Sequence, residues 1–178
     1  MIKHETPFEG VFLVENLEVQ DMRGTFKKLF CNLESPNIKN LNQVNFVTNQ
    51  KSGTIRGLHF QYPPFAEEKI VNVLLGKIFD VIIDLRPNSS TFLQKFEITL
   101  TAEKNLSLYI PRGFAHGYQT ITEESHLLYL HSGHHNPSAE SGLNYLDPQL
   151  SINWPLPVAY ISNRDTEFEP LRSRTDIK

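Results

Sequence analysis

Cysteine occurs once in the 178 residues, at Cys31, so no disulfide can form within the chain and no thiolate cluster can hold a metal. No apolar run approaches membrane-spanning length, and the first ten residues, MIKHETPFEG, carry charges where a secretory leader needs an apolar core. Neither sign of charge is in excess: 17 Lys and Arg stand against 20 Asp and Glu, a formal net of -3. That balance offers no general attraction to nucleic acid or to an acidic membrane, so an anionic ligand must be held by a few placed cations. A soluble, cytoplasmic protein without nucleic-acid or membrane partners is expected. Hydrophobic residues make up 39% and charged residues 21%, an ordinary globular balance, and the length suits one domain over residues 1–178.

A long amphipathic helical pattern is also missing. In its place, short runs rich in Val, Ile, Phe, Leu and Thr recur between turn residues. Residues 10–19 read as an opening strand or pair, turned at Asp21-Met22-Arg23-Gly24 into a strand over 25–30. A loop with one helical turn is expected over 32–42. Strands follow over 43–48, 54–61, 69–75, 78–85, 96–100, 106–110 and 126–131, with 134–142 as loop and a Pro-rich irregular tail holding at most a short helix. In QVNFVT (43–48) alternation sends Gln43 and Asn45 to one face and Val44 and Phe46 to the other. Many short strands between Gly and Pro turns argue for an all-β sandwich or barrel.

The stretch 53–76, GTIRGLHFQYPPFAEEKIVNVLLG, concentrates the chemistry. It places Arg56 and His59 on one strand and Lys69 at the start of the next, read as its neighbour. PRGFAHG (111–117) adds His116 at a tight turn. Two histidines, a lysine and an arginine around one pocket suit acid–base chemistry on an anionic substrate. His4, His126, His131, His134 and His135 read as surface or loop residues, and Asp80, Asp84 and Arg86 as polar contacts around a turn.

Gly53 followed by His59, with the later Pro111-x-Gly113-x-x-His116, resembles the two motifs of cupins, which implies a jelly-roll barrel with short peripheral helices. Metal cupins carry a second histidine where this chain has Gln61, and a glutamate where it has Lys69. A cation in a ligand position repels a divalent ion, so no metal is expected.

The resemblance narrows with the ordered set Asp21-x-Arg23-Gly24, Gln43-x-Asn45, Arg56-Gly57-Leu58-His59-x-Gln61, Lys69, Ile110-Pro111-x-Gly113-Phe114-Ala115-His116-Gly117, Tyr129, Trp154-Pro155 and Ser162-x-x-Asp165. This set is similar to the dTDP-4-dehydrorhamnose 3,5-epimerase family over almost the whole chain. The resemblance implies a cofactor-independent isomerase acting on a nucleotide-linked 4-keto-6-deoxy sugar, whose own ketone is the electron sink. It implies His59 as base with Asp165 orienting it, Lys69 stabilising the enolate and Tyr129 returning a proton from the opposite face. Arg23 and Arg56 would bind the diphosphate, Gln43, Asn45 and His116 would line the substrate, and Phe26 would pack on the base. In a homodimer, Arg23 and Phe26 would reach the neighbouring subunit's pocket. Lys28, Leu130, His135 and Tyr145 depart from the family's usual acid, lysine, tyrosine and tryptophan. A 3- or 5-epimerase on a related sugar, or a non-catalytic sugar-nucleotide-binding cupin, are the alternative readings.

Overall fold

The computed structural model describes residues 1–31, 38 and 40–177, so most of the loop expected over 32–42 lies outside the described residues. In chain order the strands are β1 (Ile2–Glu5), β2 (Phe12–Glu15), β3 (Leu17–Asp21), β4 (Gly24–Lys28), β5 (Gln43–Asn49), β6 (Ile55–Gln61) and β7 (Lys69–Leu75). They continue as β8 (Lys77–Asp84), β9 (Lys95–Thr101), β10 (Leu106–Ile110), β11 (Phe114–Thr120), β12 (Ser125–His131) and β13 (Glu140–Gly142). A four-residue helix, α1 (Asn163–Thr166), and two 3₁₀ turns complete the described elements.

A six-stranded antiparallel sheet runs β1-β2-β10-β7-β12-β5, and a five-stranded one runs β13-β6-β11-β8-β9. From β5 onward the chain changes sheet at every connection except β8 to β9, the back-and-forth path of a jelly roll. The hairpin β3-β4 stands apart as its own two-stranded ribbon.

Alternation explains the layering. On β8, Ile78 and Ile82 point between the sheets and pack with Val71, Val73, Leu127 and Phe114, while Val81 and Ile83 point outward. The outward side chains are covered by Leu143, Leu150 and Leu171 from the C-terminal tail. A strand buried on both faces needs a nearly continuous apolar run, which is why 78–85 is apolar except at Asp80 and Asp84. Each fully buried aliphatic side chain contributes roughly 1.5–3 kcal/mol, and Leu127→Ala, at the centre of the inner cluster, would cost about 2–5 kcal/mol.

Several expectations need correction. Residues 114–120 form the central strand of the five-stranded sheet with all seven residues buried, so His116 is mid-strand and only the preceding Arg112-Gly113 turns. Short β13 lies within the segment read as loop, and β1 occupies a segment for which no element was expected. Strands β6 and β7, read as neighbours, belong to different sheets, because the Tyr62-Pro63-Pro64 break carries the chain across the sandwich.

Candidate active site

At one end of the sandwich the inward rows change from apolar to polar. Lys69 precedes Val71 and Val73 on β7, Tyr129 and His131 follow Leu127 on β12, and Asp80 lies between Ile78 and Ile82 on β8. The cavity there has a volume of about 310 Å³. Gln43 and Asn45 of β5, Lys69, Tyr129 and His131 line it from the six-stranded sheet, and Arg56, His59, His116 and Tyr118 from the five-stranded one. The alternation read in 43–48 places Gln43 and Asn45 in the cavity and leaves Val44 and Phe46 exposed outside.

Arg56 and His59 share this cavity although their odd spacing on a regular strand would send them to opposite faces. His116 pairs with His59 and Tyr118 with Arg56, so Gly57 and Leu58 together oppose Gly117 alone. This is a β-bulge, and its extra residue turns Arg56 back into the cavity. Gly57 has φ of +122°, and a Cβ there would lie 2.5 Å from Gly117 Cα and 2.7 Å from the His116 carbonyl oxygen. Glycine alone fits both the dihedral and the space.

Asp165 sits on α1, whose N-cap Ser162 accepts from the Asp165 amide at 3.1 Å. Its Oδ1 accepts from His59 Nε2 at 2.8 Å. Burial would raise this carboxyl, but hydrogen bonds from His59, Gly57 and Ser162 outweigh it and bring it down to about 2. The ionised Asp165 accepts from Nε2–H, outcompeting the donor-only Arg164 Nη2 for that nitrogen, and this tautomer leaves Nδ1 as the basic nitrogen of His59. Arg164 brackets the pair, with Nη2 2.9 Å from His59 Nε2, Nε 3.3 Å from Asp165 Oδ1 and Nη1 2.7 Å from Glu140 Oε2.

Across the cavity, burial, with Tyr118 and Asp80 nearby, pushes the Tyr129 phenol well above its ordinary value against the pull of Arg56. Tyr129 therefore keeps its proton and can act only as a donor acid. Tyr118 is pushed up to about 12, chiefly by burial. Its hydroxyl donates to Asn49 Oδ1 at 3.2 Å, the oxygen that also receives Arg56 Nε at 2.9 Å. His116 Nε2 lies 2.9 and 3.1 Å from the two oxygens of fully buried Asp80, and its ring meets Tyr129 edge-on at 5.9 Å. Asp80 thus braces a cavity histidine, whereas Asp84 and Arg86 do form the turn contacts expected of them.

Lys69 Nζ lies 3.5 Å from Glu67 Oε1, and Glu67 Oε2 lies 3.2 Å from His131 Nδ1. Gln61, at the second histidine position of a metal cupin, donates its amide to the carbonyls of Phe65 and His134 and accepts from Asn136 N. Among the described residues no three His, Cys, Asp or Glu side chains converge as a metal site.

Seven expected site residues, His59, Lys69, Tyr129, Gln43, Asn45, Arg56 and His116, line one cavity, and Asp165 stands directly behind His59. Arg23 and Phe26 do not join them. They lie on the β3-β4 hairpin, Arg23 paired with Asp21 at 2.5 Å and 86% exposed, and Phe26 68% exposed. The structure adds Glu67, His131, His135, Glu140 and Tyr118 to the lining. His131 was detectable, since it stands two residues from Tyr129 and so on the same face of β12, whereas Glu67 lies in the segment just before β7, where no strand periodicity applies. Glu140 and Arg164 had no such signal, because only the pairing of β13 with β6 and the fold of the tail bring them there.

A family model described as dTDP-4-dehydrorhamnose 3,5-epimerase matches residues 5–173. The enzyme of that name from Methanothermobacter thermautotrophicus is 35% identical over 175 residues, covering 94% of this chain and 93% of the relative. A crystal structure of the Bacillus anthracis enzyme with TDP and PPi bound superposes with a TM-score of 0.91 at 33% identity, covering 96% of this chain and 99% of that one. The Legionella pneumophila enzyme in complex with dTDP-4-keto-L-rhamnose gives a TM-score of 0.89 at 33% identity, covering 96% and 93%. Sequence match and superposition both run nearly from end to end, through the strands that carry the cavity, and on that ground the chain belongs to the dTDP-4-dehydrorhamnose 3,5-epimerase family.

Proposed function

We propose that this chain inverts C3 and C5 of a dTDP-linked 4-keto-6-deoxy sugar without a cofactor. The observation that carries the reading is the His59–Asp165 pair on one wall of the cavity with Lys69 and the protonated phenol of Tyr129 on the other. The ketone acidifies the hydrogens on its two neighbouring carbons. His59 Nδ1 takes one, the electron pair moves into the carbonyl to form an enolate, and the Lys69 ammonium stabilises the oxygen. Tyr129 then delivers its proton to the opposite face of the same carbon, and solvent restores both residues. Asp165 stabilises the imidazolium while it lasts, as a carboxylate does behind any catalytic histidine.

Arg56 holds the diphosphate as a fork-shaped donor, and Gln43, Asn45 and His116 contact the sugar. The exposed hairpin supplies Arg23 and Phe26 to a partner's cavity in a homodimer. Val44 and Phe46, 52% and 59% exposed on the outer face of β5, support a covered sheet face. The protein works in the cytoplasm, in deoxysugar biosynthesis that feeds polysaccharide assembly.

Deuterium uptake from D₂O at C3 and C5 of dTDP-4-keto-6-deoxyglucose tests the reaction. Uptake at both carbons with inversion is expected, and none with dTDP-, UDP-, CDP- or GDP-linked 4-keto sugars would remove the proposal. Uptake at one carbon alone would replace it by a single-centre epimerase. Sedimentation at assay concentration tests the homodimer, and a monomer there would exclude Arg23 and Phe26 from the site.

A further inference from the structure

His131 and His135 line the cavity without a part in the motifs or the proposed proton transfers, and of the two only His131 has its side chain mostly buried. It lies directly across the β12-β7 pairing from Lys69 and across the β12-β5 pairing from Gln43. Its ring stacks on Tyr129 with centroids 5.7 Å apart and planes 19° apart, and its side chain is only 12% exposed.

A chain of polar contacts passes through it, and the direction of that chain is forced. It begins at the His135 backbone amide, which can only donate and does so to Gln43 Oε1 at 3.2 Å. Gln43 must then present its nitrogen onward, and Nε2 donates to Asn45 Oδ1 at 3.0 Å. Asn45 in turn presents Nδ2, 3.3 Å from His131 Nε2, so that nitrogen must accept. The remaining proton of a neutral ring is on Nδ1, which donates to Glu67 Oε2 at 3.2 Å. The other oxygen of Glu67 faces the Lys69 ammonium at 3.5 Å. Burial would raise the Glu67 carboxyl, but the bonds from His131 and the charge of Lys69 hold it below its usual range.

We propose that His131 is a positioning residue of the epimerase reaction: as a neutral Nδ1–H imidazole it orients Glu67, and through Glu67 it holds Lys69 at the enolate oxygen. The inference rests on the function proposed above. Protonation of His131 would put a second N–H against the Asn45 NH₂. Asn45 and Gln43 could relieve this only by turning over, and the His135 amide blocks that reversal. Imidazolium would also compete with Lys69 for Glu67. The titratable and charged groups around the ring are Lys69 and Tyr129 on its own sheet, Glu67 just before β7, His135 and Glu140 at the rim, and His59, Arg56, His116 and Tyr118 across the cavity.

The measurements are kcat and KM for the wild type, His131→Leu and His131→Gln, with dTDP binding and melting temperature as checks of folding. Glutamine can accept from Asn45 and donate to Glu67 without titrating. His131→Leu is expected to lower kcat about tenfold or more with little change in KM, as loss of an interaction made in the transition state does. His131→Gln is expected to recover most of kcat. Wild-type kcat in His131→Leu, or no recovery of kcat in His131→Gln, would overturn the proposal. Should the leucine variant not fold, the glutamine variant decides. Imidazole ¹⁵N NMR of the wild type at neutral pH gives a readout free of turnover: Nδ1–H is expected at His131, and Nε2–H or a charged ring would overturn the relay. If the wild type fails to exchange substrate protons while His131 shows the expected tautomer, the reaction has been misassigned and the relay has not.

Discussion

The amide of Gly57 donates to Oδ2 of Asp165 at 3.1 Å while Oδ1 of the same carboxylate accepts from His59 at 2.8 Å. One side chain from the C-terminal tail thus captures the N–H that the bulge leaves unpaired and props the imidazole that follows it. The bulge that aims Arg56 and the pair that sets His59 are a single mechanical unit.

Gly57→Ala should break that unit. The new Cβ meets backbone at 2.5 Å, and φ of +122° strains any other residue, so a loss of at least about 3 kcal/mol is expected. Gly24→Ala is the control: it has φ of +123° but nothing within 4 Å of the added atom, and should cost only the backbone strain, about 1–3 kcal/mol. Equal melting temperatures for the two variants would show that the close approach at Gly57 does not matter.

His59→Ala should lower solvent deuterium exchange about 10²- to 10⁴-fold, the usual effect of losing a positioned base. Tyr129→Phe should keep exchange yet impair inversion, because abstraction from one face survives while return from the other does not. NMR of the recovered sugar separates the two outcomes. Inversion at the wild-type rate by Tyr129→Phe would pass the acid role to another group.

Lys69 and Arg56 should divide catalysis from binding. Lys69→Met is expected to cut turnover about 10²- to 10³-fold, as removal of an oxyanion donor does, with dTDP affinity nearly unchanged. Arg56→Ala should weaken dTDP about 10- to 100-fold, the effect of a lost charge-assisted hydrogen bond. Calorimetric titration with dTDP beside the exchange rate tests the split, and a Lys69 variant that loses dTDP binding would contradict it.

Acid should remove stability in a definite window. Asp84 accepts from Arg86 N, Nε and Nη2, from Ser89 Oγ and from Thr91 Oγ1. Burial opposes these bonds, yet they bring its carboxyl down from 3.8 to about 2. A depressed carboxyl adds stability above its unfolded pKa and loses it as pH falls through the folded one. Asp84 should therefore contribute about 2 kcal/mol at neutral pH, lost between about pH 4 and pH 2. Denaturant unfolding of Asp84→Asn should show a flatter pH dependence in that window, and a slope equal to the wild type would refute the assignment.

Most strands were legible because a half-buried strand shows its alternation. The misses share a cause. Residues 114–120 are buried on both faces, so no alternation was there to read, and Gly117 looked like a turn. Strand β13 has three residues and β1 has every residue exposed, too little for a pattern. His59 and Lys69 stood out as charged or polar groups among apolar neighbours, but a lone His131 after HLLYL looked like the end of a strand at the surface.

Alone, the sequence determined the all-β class, the two faces of β5 and the set of groups able to move a proton, because side-chain direction along a strand is a local property of the backbone. Tertiary structure decided that β6 and β7 face each other across a cavity instead of lying side by side, that a bulge lets Arg56 join His59, and that Asp165 from the tail and Glu67 with His131 from the opposite wall complete the site. Those outcomes depend on which distant strands pair and in what register, a balance of burial and hydrogen bonding over the whole chain that no short stretch encodes.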